Sequence, residues 1–156
     1  MIEIVCERTI AAAPVELWRV IEDPERLPEW FSFAERAEVL EGGGMGRRQR
    51  IHGHWGKKRS EVDQRVVAYV PERLLAWTHE AERVDGKPAP LFAESTEVTV
   101  RLNPAGDATQ VRLESRQVPA GRLKGIALRL FGARAVGDHL NDSLERLDHM
   151  FSTPEP

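Results

Sequence analysis

Cysteine is almost missing from this chain of 156 residues: Cys6 is the single one. No intramolecular disulfide can form and no CxxC pair is present for zinc or redox chemistry, which fits a reducing compartment. Charge of one sign is also lacking. With 22 Lys and Arg against 25 Asp and Glu, the net charge of -3 gives no overall attraction to nucleic acid or to an anionic membrane. No apolar stretch approaches the roughly 20 residues of a spanning helix, so stable membrane insertion is not expected. Residues 1–5 enter a strand-like pattern without a basic region, an apolar run or a small-residue cleavage site, and a cytoplasmic location is expected. Signatures of covalent catalysis are missing too: there is no GxSxG, no HExxH and no nucleophile with an evident partner. Gly42-Gly43-Gly44-Met45-Gly46 shares only composition with a phosphate loop, because it joins two strands and no Lys-Ser or Lys-Thr follows. No cofactor is implied.

What is present is organised around residues 122–151. Leu123, Ile126, Ala127, Leu130, Leu140, Leu144, Leu147 and Phe151 recur at the three- and four-residue steps of one helix face. The pattern predicts one amphipathic helix of about 45 Å, at about 1.5 Å per residue, which needs a broad sheet to cover its stripe. Gly125, Gly132 and Gly137 should each cost about 1 kcal/mol relative to alanine inside it, and so predict a bend or a close approach. Upstream, Ile2, Ile4, Cys6 and Ile10 alternate with polar residues as a half-buried strand does. Pro14 then opens a short helix carrying Val15, Leu17, Trp18 and Ile21, and a second helical turn covers residues 24–30. Strands are read at 34–41, 47–55, 58–69 and 74–82, followed by a hairpin of 92–102 with 109–118. The whole is one α+β domain over residues 1–156: a curved antiparallel sheet of about seven strands around a long C-terminal helix, with two short helices after the first strand. A single helix cannot fill such a sheet along its length, which predicts a cavity.

The opening Ile10-Ala11-Ala12-Ala13-Pro14-Val15-Glu16-Leu17-Trp18, then Ile21-Glu22-Asp23-Pro24-Glu25 and Leu27-Pro28-Glu29-Trp30, resembles the polyketide cyclase/dehydrase and lipid-transport proteins of the START and Bet v 1-like superfamily, also called SRPBCC. Gly46-Arg47-Arg48, the segment Pro71-Glu72-Arg73-Leu74-Leu75-Ala76-Trp77 and the closing helix extend the likeness over nearly the whole chain. The resemblance implies a helix-grip fold with a central pocket. For activity it is unspecific, since that superfamily includes carriers, cyclases and co-chaperones.

Alternation assigns the pocket walls. Leu75, Trp77 and His79 turn inward, because the other register would expose Trp77; Phe92, Glu94, Thr96, Val98 and Val100 share a face that Leu113 meets from the next strand. Ile126 and Leu130 belong to the helix stripe. Trp30, Phe31 and Trp55 are placed at the pocket mouth, although Trp18 and Trp30 also fit plain packing of the small helices. Glu94 and Thr96 are polar groups on an apolar wall, either orienting a ligand or solvated at the sheet's open end. His79, with an unperturbed pKa near neutrality, could pair with Glu94 for proton transfer.

His52 and His54 share a face with Arg48 and Arg50, whose charge opposes a cation, so no metal site is expected. The basic hairpin from Arg47 to Arg59 reads as a solvated mixed-charge face, since Glu61 and Asp63 follow at once, and nucleic acid is not an expected partner. The first reading is a monomer or homodimer that binds a hydrophobic small molecule, such as a lipid, polyketide or isoprenoid. One alternative is a cyclase or dehydratase using His79 and Glu94. Another is a protein-interaction module using the sheet's outer face or the basic hairpin.

Overall fold

The computed structural model describes residues 1–89, 93–127, 129 and 132–152. Strand β1 (Ile2–Ile10) leads into helix α1 (Pro14–Ile21), a 3-10 turn (Pro24–Arg26) and the single-turn helix α2 (Leu27–Trp30). Strands β2 (Arg36–Glu41), β3 (Arg48–Trp55), β4 (Lys58–Val70) and β5 (Leu74–Val84) follow, then the two-residue β6 (Lys87–Pro88), β7 (Ala93–Ala105) and β8 (Ala108–Pro119). Helices α3 (Arg122–Ala127) and α4 (Ala133–Ser152) close the described chain. The strands form one antiparallel sheet in the order β1-β8-β7-β5-β4-β3-β2, with β6 beside β5. This is the expected α+β, helix-grip arrangement. The extra strand, β6, is too short to show a period in sequence.

Because β1 and β2 are opposite edges of the sheet, the small helices between them carry the chain across its end. Pro14 starts α1, where its missing N–H is not needed. The Asp23 carboxylate accepts from the Glu25 N–H at 3.0 Å and caps the following turn. α1 buries Leu17, Trp18, Val20 and Ile21. α4 buries Leu140, Leu144 and Leu147 along the predicted stripe and packs chiefly on β1. There the missing side chain of Gly137 matters: a Cβ would sit 3.7 Å from Ile4 Cγ2, and the carbonyl of Gly137 lies 3.8 Å from Cys6 Sγ. Burial raises the Cys6 thiol pKa and keeps it a protonated packing group.

Residues 122–127 and 133–152 are helical, as the pattern over 122–151 predicts, but the predicted apolar stripe is buried along α4 and not along α3. A Cβ on Gly125 would lie 3.2 Å from Pro119 Cβ, so this glycine, the buried residue of α3, is the face laid on the end of β8. Leu123 and Ile126 are consequently rolled outward, 83% and 55% exposed.

The outer face of β2 to β5 is a lattice of ion pairs. Arg48 meets Glu80 at 2.9 Å and Glu41 at 3.6 Å; Arg50 and Arg83 both meet Asp63, at 2.7 and 2.9 Å. Asp63 is 7% exposed, and its pKa falls from 3.8 to about 2, first through the Arg50 hydrogen bond and with help from Arg83. The folded value lies below the unfolded one, so this stabilisation is complete above about pH 4 and is lost as the pH drops through about 2. Asp63→Asn should therefore cost about 2 kcal/mol near neutrality. Urea unfolding measured across the acid range should show the variant losing less stability than wild type below pH 4.

Candidate functional site

The inner face of β5 carries Leu75, Trp77 and His79, as alternation requires. Val66 lies opposite Trp77 and Gln64 opposite His79, after which the register jumps to Asp63 opposite Ala81. Glu80 is the extra residue of a β-bulge. In a regular strand residues 79 and 82 would face opposite sides, and the bulge moves Glu82 onto the face of His79. The two side chains meet at 2.7 Å, His79 Nδ1 to Glu82 Oε1. Glu80 stays on the other face with Arg48 and Arg65, at 2.9 and 3.2 Å.

A second irregularity lies across the gap. β5 pairs with β7 from Leu74 opposite Arg101 to Thr78 opposite Glu97, and the ladder stops there. Beyond it β7 continues only with β8, slipping register between Ala93 and Ser95, while β5 continues with β4 and β6. The sheet splits. The split is a groove of about 240 Å³ lined by His79, Glu82, Pro88, Ala93, Glu94 and Thr96, with Glu80, Ala81, Ala89 and Ser95 completing its rim. The His79 hydrogen bond lowers the Glu82 pKa against the opposing effect of burial. Glu82 is thus a carboxylate at neutral pH, and the hydrogen of the shared bond sits on Nδ1, leaving Nε2 as an acceptor in the neutral ring. Thr96, 9% exposed, faces Gln117 on β8, whose buried Oε1 has no partner among the described residues.

The inner wall continues as a polar line. Arg47 Nε donates to Gln49 Oε1 at 3.1 Å, and Gln49 Nε2 donates to Gln64 Oε1 at 2.9 Å, beside His79. Arg47, read with the basic hairpin as solvated, is 5% exposed and points into the protein. Its neighbours Arg48 and Arg50 keep to the outer face because alternation sends them there.

Leu75, Trp77, Val98 and Leu113 are buried, at 1%, 1%, 5% and 0% exposure. Trp30 and Phe31, placed at a pocket mouth by the sequence, are instead core residues at 0% and 2%. The chain leaves α2 in extended backbone at Phe31, and its ring lands edge-on against Trp77, 5.4 Å between centroids, with Trp30 at 5.4 Å and Phe33 at 5.0 Å. These rings pack on one another against the inner face of β5. Ile126, expected on the wall, is on the surface for the reason given above. Glu94 is exposed at the groove's rim: it shares a groove with His79, yet the hydrogen-bond partner of His79 is Glu82. Phe92, Leu130 and the side chain of Trp55 lie outside the described residues.

Among the described residues no three His, Cys, Asp or Glu side chains are grouped to hold a metal. His52 and His54 lie on the outer face and contact Glu38 and Glu35, at 3.0 and 2.6 Å. No described helix is long and apolar enough to cross a membrane.

The sequence pattern of the family described as polyketide cyclase/dehydrase and lipid transport matches residues 1–150. No curated protein sequence matches the chain. Solved structures similar to it include MLL2253 from Mesorhizobium loti, 22% identical over 99% of this chain and 100% of that one, with a TM-score of 0.73. TTHA0849 from Thermus thermophilus is 20% identical over 95% of each chain, with a TM-score of 0.74. Ara h 8.0201 is 16% identical over 93% of this chain and 96% of its own, at a TM-score of 0.68. At such identities the likeness establishes the Bet v 1-like helix-grip fold.

Proposed function

Because this chain belongs to the polyketide cyclase/dehydrase and lipid transport family, we propose that it binds a small hydrophobic molecule bearing a polar group, held at the split between β5 and β7. The observation that carries this reading is the meeting of His79, Glu82 and Thr96 at the place where the sheet opens. The groove of about 240 Å³ is below the roughly 300–1,000 Å³ of drug-sized sites, so it takes the polar end of a ligand while Pro88, Ala89 and Ala93 cover the adjoining apolar part. His79 Nε2 accepts from a ligand hydroxyl, and the Thr96 hydroxyl donates or accepts. Cargo such as a lipid, polyketide or isoprenoid fits that description. The proposed setting is the cytoplasm, with the protein a monomer or homodimer that does not engage nucleic acid.

Titration with a fluorescent hydroxy fatty acid tests the reading. Wild type should bind it; His79→Gln should weaken binding about tenfold, the worth of one hydrogen bond to a charge-assisted partner; and Ala93→Trp, which fills the groove from its rim, should abolish it. Equal affinity in all three proteins would refute it.

The bulge favours a second reading, a cyclase or dehydratase. A carboxylate that fixes the tautomer of a histidine is the arrangement of a general base, with Nε2 facing the groove as the proton acceptor and Glu94 at its rim. Under this reading Glu82→Gln retains binding and loses turnover.

A further inference from the structure

We propose that α3 is a peripheral docking surface for an anionic phospholipid bilayer. Leu123, at 83%, is the most exposed of the large hydrophobic side chains in the described chain, and Ile126, three residues on, is 55% exposed. Gly125 lies against Pro119, where a Cβ would come within 3.2 Å of the ring, and this contact sets the roll of the helix with Leu123 and Ile126 pointing away from the protein. The roll is built into the fold, and it holds two apolar side chains in water.

Charge selects what covers them. Residues 121–134 contain Arg122, Lys124, Arg129 and Arg134 and no acidic residue, within a chain of net charge -3. Arg122, Lys124 and Arg129 are exposed. Apolar side chains flanked by Lys and Arg on a short exposed helix match the headgroup boundary of an anionic leaflet: phosphates meet the cations and the acyl region receives Leu123 and Ile126. With six residues in α3, the attachment is interfacial and reversible.

The position of α3 also ties it to the groove. Pro119, on which Gly125 rests, is the residue opposite Ala93 in the β7–β8 ladder, and Ala93 lines the groove. A bilayer docked on α3 therefore lies at the end of the sheet that opens, which would let cargo pass between membrane and groove; this last step rests on the function proposed above, whereas the docking does not.

Co-sedimentation of the full chain with vesicles tests it. Vesicles of 30% phosphatidylglycerol in phosphatidylcholine should bind wild type at low salt, pure phosphatidylcholine vesicles should bind it at least about tenfold less, and raising the salt should release it. Leu123→Asp and Lys124→Glu should each remove binding while leaving the melting temperature and the fatty acid affinity unchanged, since both side chains are exposed. His79→Gln should bind the vesicles like wild type, which separates failure of the groove from failure of the docking surface. Absence of binding to the anionic vesicles would overturn the proposal. So would binding that Leu123→Asp leaves intact, because attraction by net charge alone needs no inserted helix.

Discussion

Trp77→Ala is expected to destabilise the protein by about 3–5 kcal/mol, the range for removing a large aromatic side chain from a packed core, and to lower its melting temperature by on the order of 10 °C. Trp77 is 1% exposed, flanked by Val66 and Val98 on neighbouring strands, and capped edge-on by Phe31 at 5.4 Å. Strands on both sides hold the backbone apart, so the site cannot collapse and most of the cavity remains. Trp77→Phe should cost much less. It keeps the ring in place and removes an indole N–H that has no partner among the described residues, and an unsatisfied buried donor is itself unfavourable. Urea or thermal unfolding reads both variants. A loss below about 1 kcal/mol for the alanine variant would mean that the aromatic cluster does not fill the interior.

Arg47→Met should cost about 3 kcal/mol. The guanidinium is buried and donates through Nη1 to the carbonyl of Glu22 at the end of α1, at 2.9 Å, and through Nε to Gln49, at 3.1 Å. The carboxylate of Glu22 accepts from the Tyr69 hydroxyl at 3.2 Å, so one residue pins the small helices to β3 and β4. Methionine keeps the stem but leaves the Glu22 carbonyl and the Gln49 oxygen without donors, each worth about 1–3 kcal/mol. Desolvation lowers the Arg47 pKa, partly offset by the nearby Glu22. Arg47→Lys should recover less than half of the loss, because an ammonium has no planar fork with which to reach both acceptors. The measurement is denaturant unfolding of both variants; a neutral Arg47→Met would show that the polar line through Gln49 and Gln64 is dispensable.

Period was the most legible feature of the sequence. A strand that must bury Trp77 also turns Leu75 and His79 inward, and the three-four spacing of Leu140, Leu144 and Leu147 put them on the buried face of α4. Defects in period were not legible. The bulge at Glu80, which brings Glu82 to His79, depends on pairing with β4 and has no local signature, so alternation assigns Glu82 to the wrong face. The same holds for the slip at Ala93 in the β7–β8 ladder and for the end of β5–β7 pairing at Thr78, beyond which the groove opens. Arg47 and Ile126 show composition overridden by packing: Arg47 is drawn in by a helix end that needs a donor, and Ile126 is turned out because Gly125 makes the closer contact with Pro119. Gly125 could have been read as the buried face of its helix, since a glycine there is favoured only when something approaches it.

The most direct test of the central claim is to follow the histidine ring resonances of the protein by NMR while a hydroxy fatty acid is added. His79 sits on the groove with Nδ1 held by Glu82, whereas His52 and His54 are engaged by glutamates on the outer face. The account predicts a saturable shift of His79 Nε2 with little change at His52 and His54, lost in Ala93→Trp. A saturable response confined to the outer-face histidines, or His79 unmoved while the fatty acid binds, would contradict it.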